Sequence, residues 1–211
     1  MKLATIKTVL KSYKMNPKEW TMEWENNENY INSMMVKDED TKSNYNECLN
    51  MIKPNSRVLS CGCGAGREVK ALVNMGCSVT AIDYSTKMIE LSKAVAPQAE
   101  YLFRDFTDYI SPEPFDYIIC LFNTINYLDG LEKRQEFIKS SYLNLNEGGK
   151  LIIETADRTQ NWKVFIRSLV FKNNFYYSPK QVNKWFIDSG FDVNAIKKDS
   201  GNIIIATKNP K

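Results

Sequence analysis

Gly62, Gly64 and Gly66 stand at alternate positions in the run Arg-Val-Leu-Ser-Cys-Gly-Cys-Gly-Ala-Gly-Arg (57–67), where a short apolar stretch meets a helix-forming one at 68–74. Glycines at such a junction let the backbone turn tightly and leave amide N–H groups bare for a ligand, which is the chemistry of a nucleotide-type cofactor loop. A dinucleotide site asks for Gly-x-Gly-x-x-Gly, with a pyrophosphate on the helix N-terminus. The sixth position counted from Gly62 is Arg67, and from Gly64 it is Val69, so that fingerprint fails in both registers. Asp83 closes a second apolar stretch, 78–82, where an acidic side chain accepts hydrogen bonds from a ribose diol. Taken alone, Asp83 also suits the cap of a helix beginning near Thr86; in register with the loop, the ribose role is favoured. The chain contains no histidine, which removes Ser-His and Cys-His nucleophilic catalysis and the commonest general base.

The even Gly-x-Gly-x-Gly spacing resembles motif I of class I S-adenosylmethionine-dependent methyltransferases, and the likeness extends over roughly residues 52–157. A third strand, Tyr101-Leu102-Phe103, leads into Arg104-Asp105-Phe106, and the resemblance implies that Asp105 accepts from the adenine amine while the Phe106 amide reads the ring. Tyr84 and Met88 have two readings, flanks of an adenine slot or plain core. Phe115 to Phe122 is a nearly unbroken apolar run, the mark of a central parallel strand buried on both faces. It stops at Asn123-Thr124-Ile125-Asn126-Tyr127, where the family places the methionine end of the cofactor and the methyl acceptor. The resemblance therefore implies S-adenosylmethionine as cofactor, Leu121 among the backbone contacts of its amino-acid end, and Asn126 and Tyr127 as groups orienting an acceptor. One position departs from the family: two residues before Gly62 an acid is usual, and Ser60 stands there. A hydroxyl accepts a hydrogen bond but brings no charge to the cofactor's ammonium.

Methyl transfer is an in-line displacement on an already activated sulfonium, so a dedicated base is optional and alignment with exclusion of water matters most. The run Asn123 to Asn126 lacks the Asn-Pro-Pro-aromatic form used on flipped bases, and no Pro-Cys nucleophile occurs. A small-molecule acceptor with an N or O nucleophile is the leading reading. The rivals are a protein or RNA methyltransferase that borrows recognition from a partner, and a non-catalytic S-adenosylmethionine-binding module. A nicotinamide-dependent oxidoreductase is disfavoured by the loop spacing.

The elements that must position these residues are legible in outline. The chain has 211 residues, enough for one large domain with a substantial core. From about 55 to 157, short apolar strands alternate with helices, which argues a parallel α/β sheet. Ser178-Pro179 opens a further helix ended by Gly190, and stretches at 191–196 and 203–207 read as strands joined through the turn composition Asp199-Ser200-Gly201-Asn202. By resemblance this is a Rossmann-like seven-stranded sheet of order 3-2-1-4-5-7-6 with a terminal antiparallel hairpin. Residues 1–50 form an expected N-terminal helical cap before a cofactor domain at 51–211. Tyr13, Trp20, Trp24 and Tyr30 in that cap are candidates for a substrate lid, although the i, i+4 spacing of the two tryptophans also suits packing on the sheet.

Composition narrows the partners. A formal net charge of +3, with basic and acidic residues interspersed, shows none of the clustered basic footprint of a dedicated nucleic-acid binder. No stretch approaches the about 20 apolar residues of a membrane helix, and Lys2 and Lys7 interrupt the only signal-like segment. A cytoplasmic protein is expected, without nucleic-acid or membrane partners. Five cysteines, two of them in the glycine loop, suit buried thiols in a reducing compartment better than disulfides, and Cys61-x-Cys63 with Cys77 has the wrong spacing for zinc. No metal is expected.

Overall fold

The computed structural model describes residues 44–128, 130–155, 179–198 and 201–210. Seven strands, β1 (Arg57–Cys61), β2 (Ser78–Asp83), β3 (Glu100–Phe103), β4 (Phe115–Cys120), β5 (Leu145–Thr155), β6 (Phe191–Lys198) and β7 (Gly201–Lys208), form one sheet. Its order is β3-β2-β1-β4-β5-β7-β6, as expected from the resemblance. The first five strands are parallel; β7 enters antiparallel between β5 and β6 and closes the terminal hairpin.

Between the strands lie α1 (Tyr45–Asn50), α2 (Arg67–Asn74), α3 (Thr86–Val95), α4 (Gly130–Asn144) and α5 (Pro179–Asp188). Strand β4 shows why the sheet is covered on both sides. Tyr117 and Ile119 join one apolar cluster with Val58, Leu72 and Ile152, while Ile118 and Cys120 join the other with Phe137, Phe186 and Leu151. Alternate residues of a strand point to opposite faces, so a run apolar at every position must be buried twice. Tyr45, Cys48 and Leu49 of α1 belong to the first cluster, so this helix packs as part of the core.

Helix α4 is not anticipated from the sequence, and its buried face explains why. That face includes Arg134, Ser140, Ser141 and Asn144 as well as Phe137 and Ile138. Three of these polar groups are buried because they bind backbone, as the serine and the asparagine show: Ser140 Oγ donates to the Thr107 carbonyl at 2.8 Å, and Asn144 Nδ2 donates to the Tyr109 carbonyl at 2.7 Å. Asn144 Oδ1 in turn accepts the Ser111 N–H at 2.8 Å. The helix thereby holds the loop that follows β3.

Candidate cofactor and acceptor site

The loops after β1, β2, β3 and β4 leave the sheet at the carboxyl ends of their strands, and chain order reverses between β1 and β4. That is the crevice in which open α/β sheets bind ligands. Gly62, Gly64 and Gly66 all adopt positive φ, the left-handed region that only glycine enters freely. Two of them also permit close approach. A Cβ on Gly62 would fall against the Thr124 methyl group, from the loop across the crevice, and one on Gly66 would lie 2.8 Å from Ser92 Cα on α3. Gly62 thus lets the β4 loop meet the β1 loop, and Gly66 lets α2 and α3 pack.

The expectation of bare loop amides is corrected. Gly62 and Cys63 donate to the Ile82 carbonyl at 2.8 and 3.1 Å, and Gly66 donates to the Cys63 carbonyl at 3.0 Å. Gly64 N–H donates to Asp83 Oδ2 at 2.9 Å. A phosphate-binding turn keeps such donors for its anion; here the loop turns them onto its own carbonyls and onto β2.

Asp83 sits between the first two loops, with Oδ1 also accepting the Ser85 N–H at 3.0 Å. The helix-cap reading fails, because the cap of α3 is Ser85, whose Oγ accepts the Met88 N–H at 3.1 Å. Met88 is buried yet belongs to neither apolar cluster of the described residues, and Tyr84 is half-buried. Asp105 is exposed; its Oδ1 accepts both the N–H and the hydroxyl of Thr107, at 2.9 and 2.8 Å, and Lys133 Nζ lies 3.8 Å from Oδ2. Phe106 is buried and packs edge-on to Phe137 at 5.1 Å between ring centroids.

Beyond β4 the chain takes an uncommon path. Phe122 and Asn123 have φ of 53° and 61°, after which a single 3-10 turn runs from Thr124 to Tyr127. Two consecutive non-glycine residues in the left-handed region cost of order 1–3 kcal/mol each, so the surroundings must impose the bend. Three groups do so. Glu154, buried at the end of β5, accepts the Phe122 N–H at 2.9 Å. Thr124 Oγ1 donates to the Leu121 carbonyl at 2.7 Å, and the Thr124 N–H reaches the same oxygen at 3.1 Å. Arg134, 1% exposed, reaches from α4 to donate to the carbonyls of Ile125, Leu128 and Gly130 at 3.2, 2.6 and 2.7 Å. Tyr127, held by this turn, is 40% exposed. Glu154 and Arg134 escape a reading of the sequence because neither lies in a glycine or turn motif.

Ser60 is engaged as a donor rather than as an acceptor. Its Oγ lies 2.9 Å from Oε1 of Glu68, in the first turn of α2. Glu68 is buried, and burial pushes its carboxyl up to about 7, against hydrogen bonds from its own backbone and Ser60 that pull it down. The Arg67 guanidinium beside it lies over the Phe122 ring at 3.9 Å and the Tyr45 ring at 5.4 Å. All five cysteines are free and buried, and burial lifts the thiols of Cys48, Cys61, Cys63 and Cys120. Among the described residues there is no cluster able to hold a metal ion, and no helix long and apolar enough to cross a membrane. The candidate lid residues Tyr13, Trp20, Trp24 and Tyr30, and the side chain of Asn126, lie outside the described residues.

A sheet of this order, with a tight glycine loop and an acid at the end of β2, defines the Rossmann-like methyltransferase architecture. Residues 58–149 match the family model described as a methyltransferase domain. The ubiquinone biosynthesis O-methyltransferase of Rickettsia canadensis is 26% identical over 174 residues, which cover 75% of this chain and 70% of that enzyme. The enzyme of the same name from Xylella fastidiosa is 30% identical over 110 residues, 49% of this chain and 43% of its own length, so the match spans less than half of that relative. Among solved structures, the N-methyltransferase NodS of Bradyrhizobium japonicum, in complex with S-adenosyl-L-homocysteine, has a TM-score of 0.72 at 15% identity. That likeness covers 93% of this chain and all of the other. The chain thus carries a methyltransferase domain over residues 58–149 and has the fold of the class I S-adenosylmethionine-dependent methyltransferases.

Proposed function

We propose that this protein transfers the methyl group of S-adenosylmethionine to an oxygen nucleophile of a small molecule. The observation that carries the reading is the run of curated relatives named for O-methylation in ubiquinone biosynthesis, two of them aligned over three quarters of this chain. The site suits it. In this reading Asp83 holds the ribose diol with the same carboxylate that accepts the Gly64 N–H. Tyr84 and Met88 flank the adenine, Asp105 and the Phe106 amide read its edge, and the glycine loop with Leu121 receives the methionine end.

S-adenosylmethionine supplies the activated methyl group; the chain's own residues orient it and the acceptor and exclude water. The turn at 124–127 carries Asn126 and Tyr127 to the acceptor side, and Arg134 and Glu154 fix that turn. A phenolic acceptor needs only modest help to lose its proton, which suits a chain without histidine. Five buried free thiols support a reducing compartment such as the cytoplasm.

The test is transfer from methyl-labelled S-adenosylmethionine to a panel of phenols, catechols, primary amines, peptides and RNA, with product analysed by mass spectrometry. Label on a phenolic or catecholic oxygen, matched by S-adenosylhomocysteine, is expected. Label on amines alone would move the acceptor atom to nitrogen, and label on peptide or RNA alone would refute the small-molecule reading.

A further inference from the structure

Glu68 is 4% exposed and follows directly on the glycine loop, and no ion pair ties it to a cation among the described residues. Its side-chain partner is the Ser60 hydroxyl on β1. The groups that share its field are Arg67 on its own helix, Asp83 on β2, Cys63 in the loop, Tyr101 on β3 and Cys120 on β4. Apart from Arg67 these are acids or buried weak acids, and the Arg67 guanidinium is spread over the Phe122 ring. A buried carboxylate without a close counter-ion is costly, and such a group persists where a bound partner supplies the missing charge.

The cofactor of this family is a cation at that end: a sulfonium and an ammonium against one carboxylate. Its product has lost the sulfonium charge. Resting on that cofactor use, we infer that Glu68 is a positioning residue that supplies, from helix α2 through Ser60, the negative charge the strand position itself lacks, and so favours the sulfonium cofactor over its demethylated product.

The pH dependence follows with a definite sign. Burial holds Glu68 protonated below about 7, so its charge, and the preference it creates, is present above that pH and fades below it. A cation arriving nearby favours the ionised form, so cofactor binding near neutral pH releases a proton from Glu68, whereas product binding releases less.

Calorimetry of S-adenosylmethionine and S-adenosylhomocysteine on the full chain tests this. For the native protein, the ratio of the two affinities is expected to shift toward the sulfonium by about tenfold between about pH 6 and about pH 8. Glu68→Gln, which keeps the shape and an acceptor for Ser60, is expected to remove the pH dependence and to hold the ratio at its low-pH value. The charge swap Ser60→Asp with Glu68→Ser is expected to restore the preference. A ratio that is flat with pH in the native protein, or unchanged in Glu68→Gln whatever its melting temperature, overturns the inference while leaving the cofactor assignment intact. Failure of either ligand to bind the native protein would overturn both. If Glu68→Gln does not fold, the native pH profile decides alone.

Discussion

Gly66→Ala is expected to lower the free energy of unfolding by about 2–6 kcal/mol, the sum of left-handed strain and overpacking. Gly66 has φ +87°, and the added methyl would sit 2.8 Å from the Cα of Ser92, a backbone atom that cannot swing aside. Gly148 provides the control: it has φ +76° and nothing within 4 Å of a built Cβ, so Gly148→Ala carries the strain alone, about 1–3 kcal/mol. Denaturant unfolding of the two variants should therefore rank Gly66→Ala well below Gly148→Ala. Adding Ser92→Gly should recover only part of the loss, since the added methyl still meets the α3 backbone at that position. Equal losses at the two glycines would show that α2 and α3 can move apart and that the loop is held by other means.

Arg134→Met is expected to destabilise by about 3–5 kcal/mol, because it strips charged donors from three carbonyls and leaves buried acceptors unpaired. For a chain of this size such a loss lowers Tm by roughly 10 °C. The particular consequence concerns the turn at 124–127, whose exit Arg134 pins through Ile125, Leu128 and Gly130. Losing that anchor should reduce methyl transfer more than cofactor affinity, as the glycine loop and Asp83 are held by bonds of their own. Thermal melting with parallel cofactor titration measures both. A change in Tm within a degree or two would mean that α4 holds the turn by packing alone.

Patterning explains which elements can be read from the chain. The strands β1, β2 and β4 are driven by runs of apolar side chains bounded by Gly, Ser or Asp, and α3 begins at Thr86, where the sequence places a helix start. The terminal hairpin follows from turn chemistry at 199–202. Helix α4 offers no such stripe, because much of its buried face is polar and becomes intelligible only when the carbonyls of Thr107, Tyr109, Ile125 and Leu128 are in view. The glycine loop is found by its spacing, yet spacing cannot say where its N–H groups go; the Ile82 carbonyl and the Asp83 carboxylate take them from a neighbouring strand. Ser60 looks like a lost charge in the sequence because its partner lies eight residues on, across the loop, and a linear motif does not join the two.

In the proposed function the loop at 62–66 and Asp83 form the site for S-adenosylmethionine, and calorimetry on the native protein and on Asp83→Ala decides whether they do. The native protein is expected to bind S-adenosylmethionine and S-adenosylhomocysteine and to ignore nicotinamide dinucleotides. A ligand at about 100 times its Kd should stabilise it by about 2.7 kcal/mol. Asp83→Ala removes the acceptor for two ribose hydroxyls, and should lose roughly 1–3 kcal/mol of cofactor affinity. It should also melt earlier, because the same carboxylate holds the Gly64 and Ser85 amides. Binding of a dinucleotide in place of S-adenosylmethionine, or cofactor affinity unchanged in Asp83→Ala, would show that this crevice is not the S-adenosylmethionine site proposed.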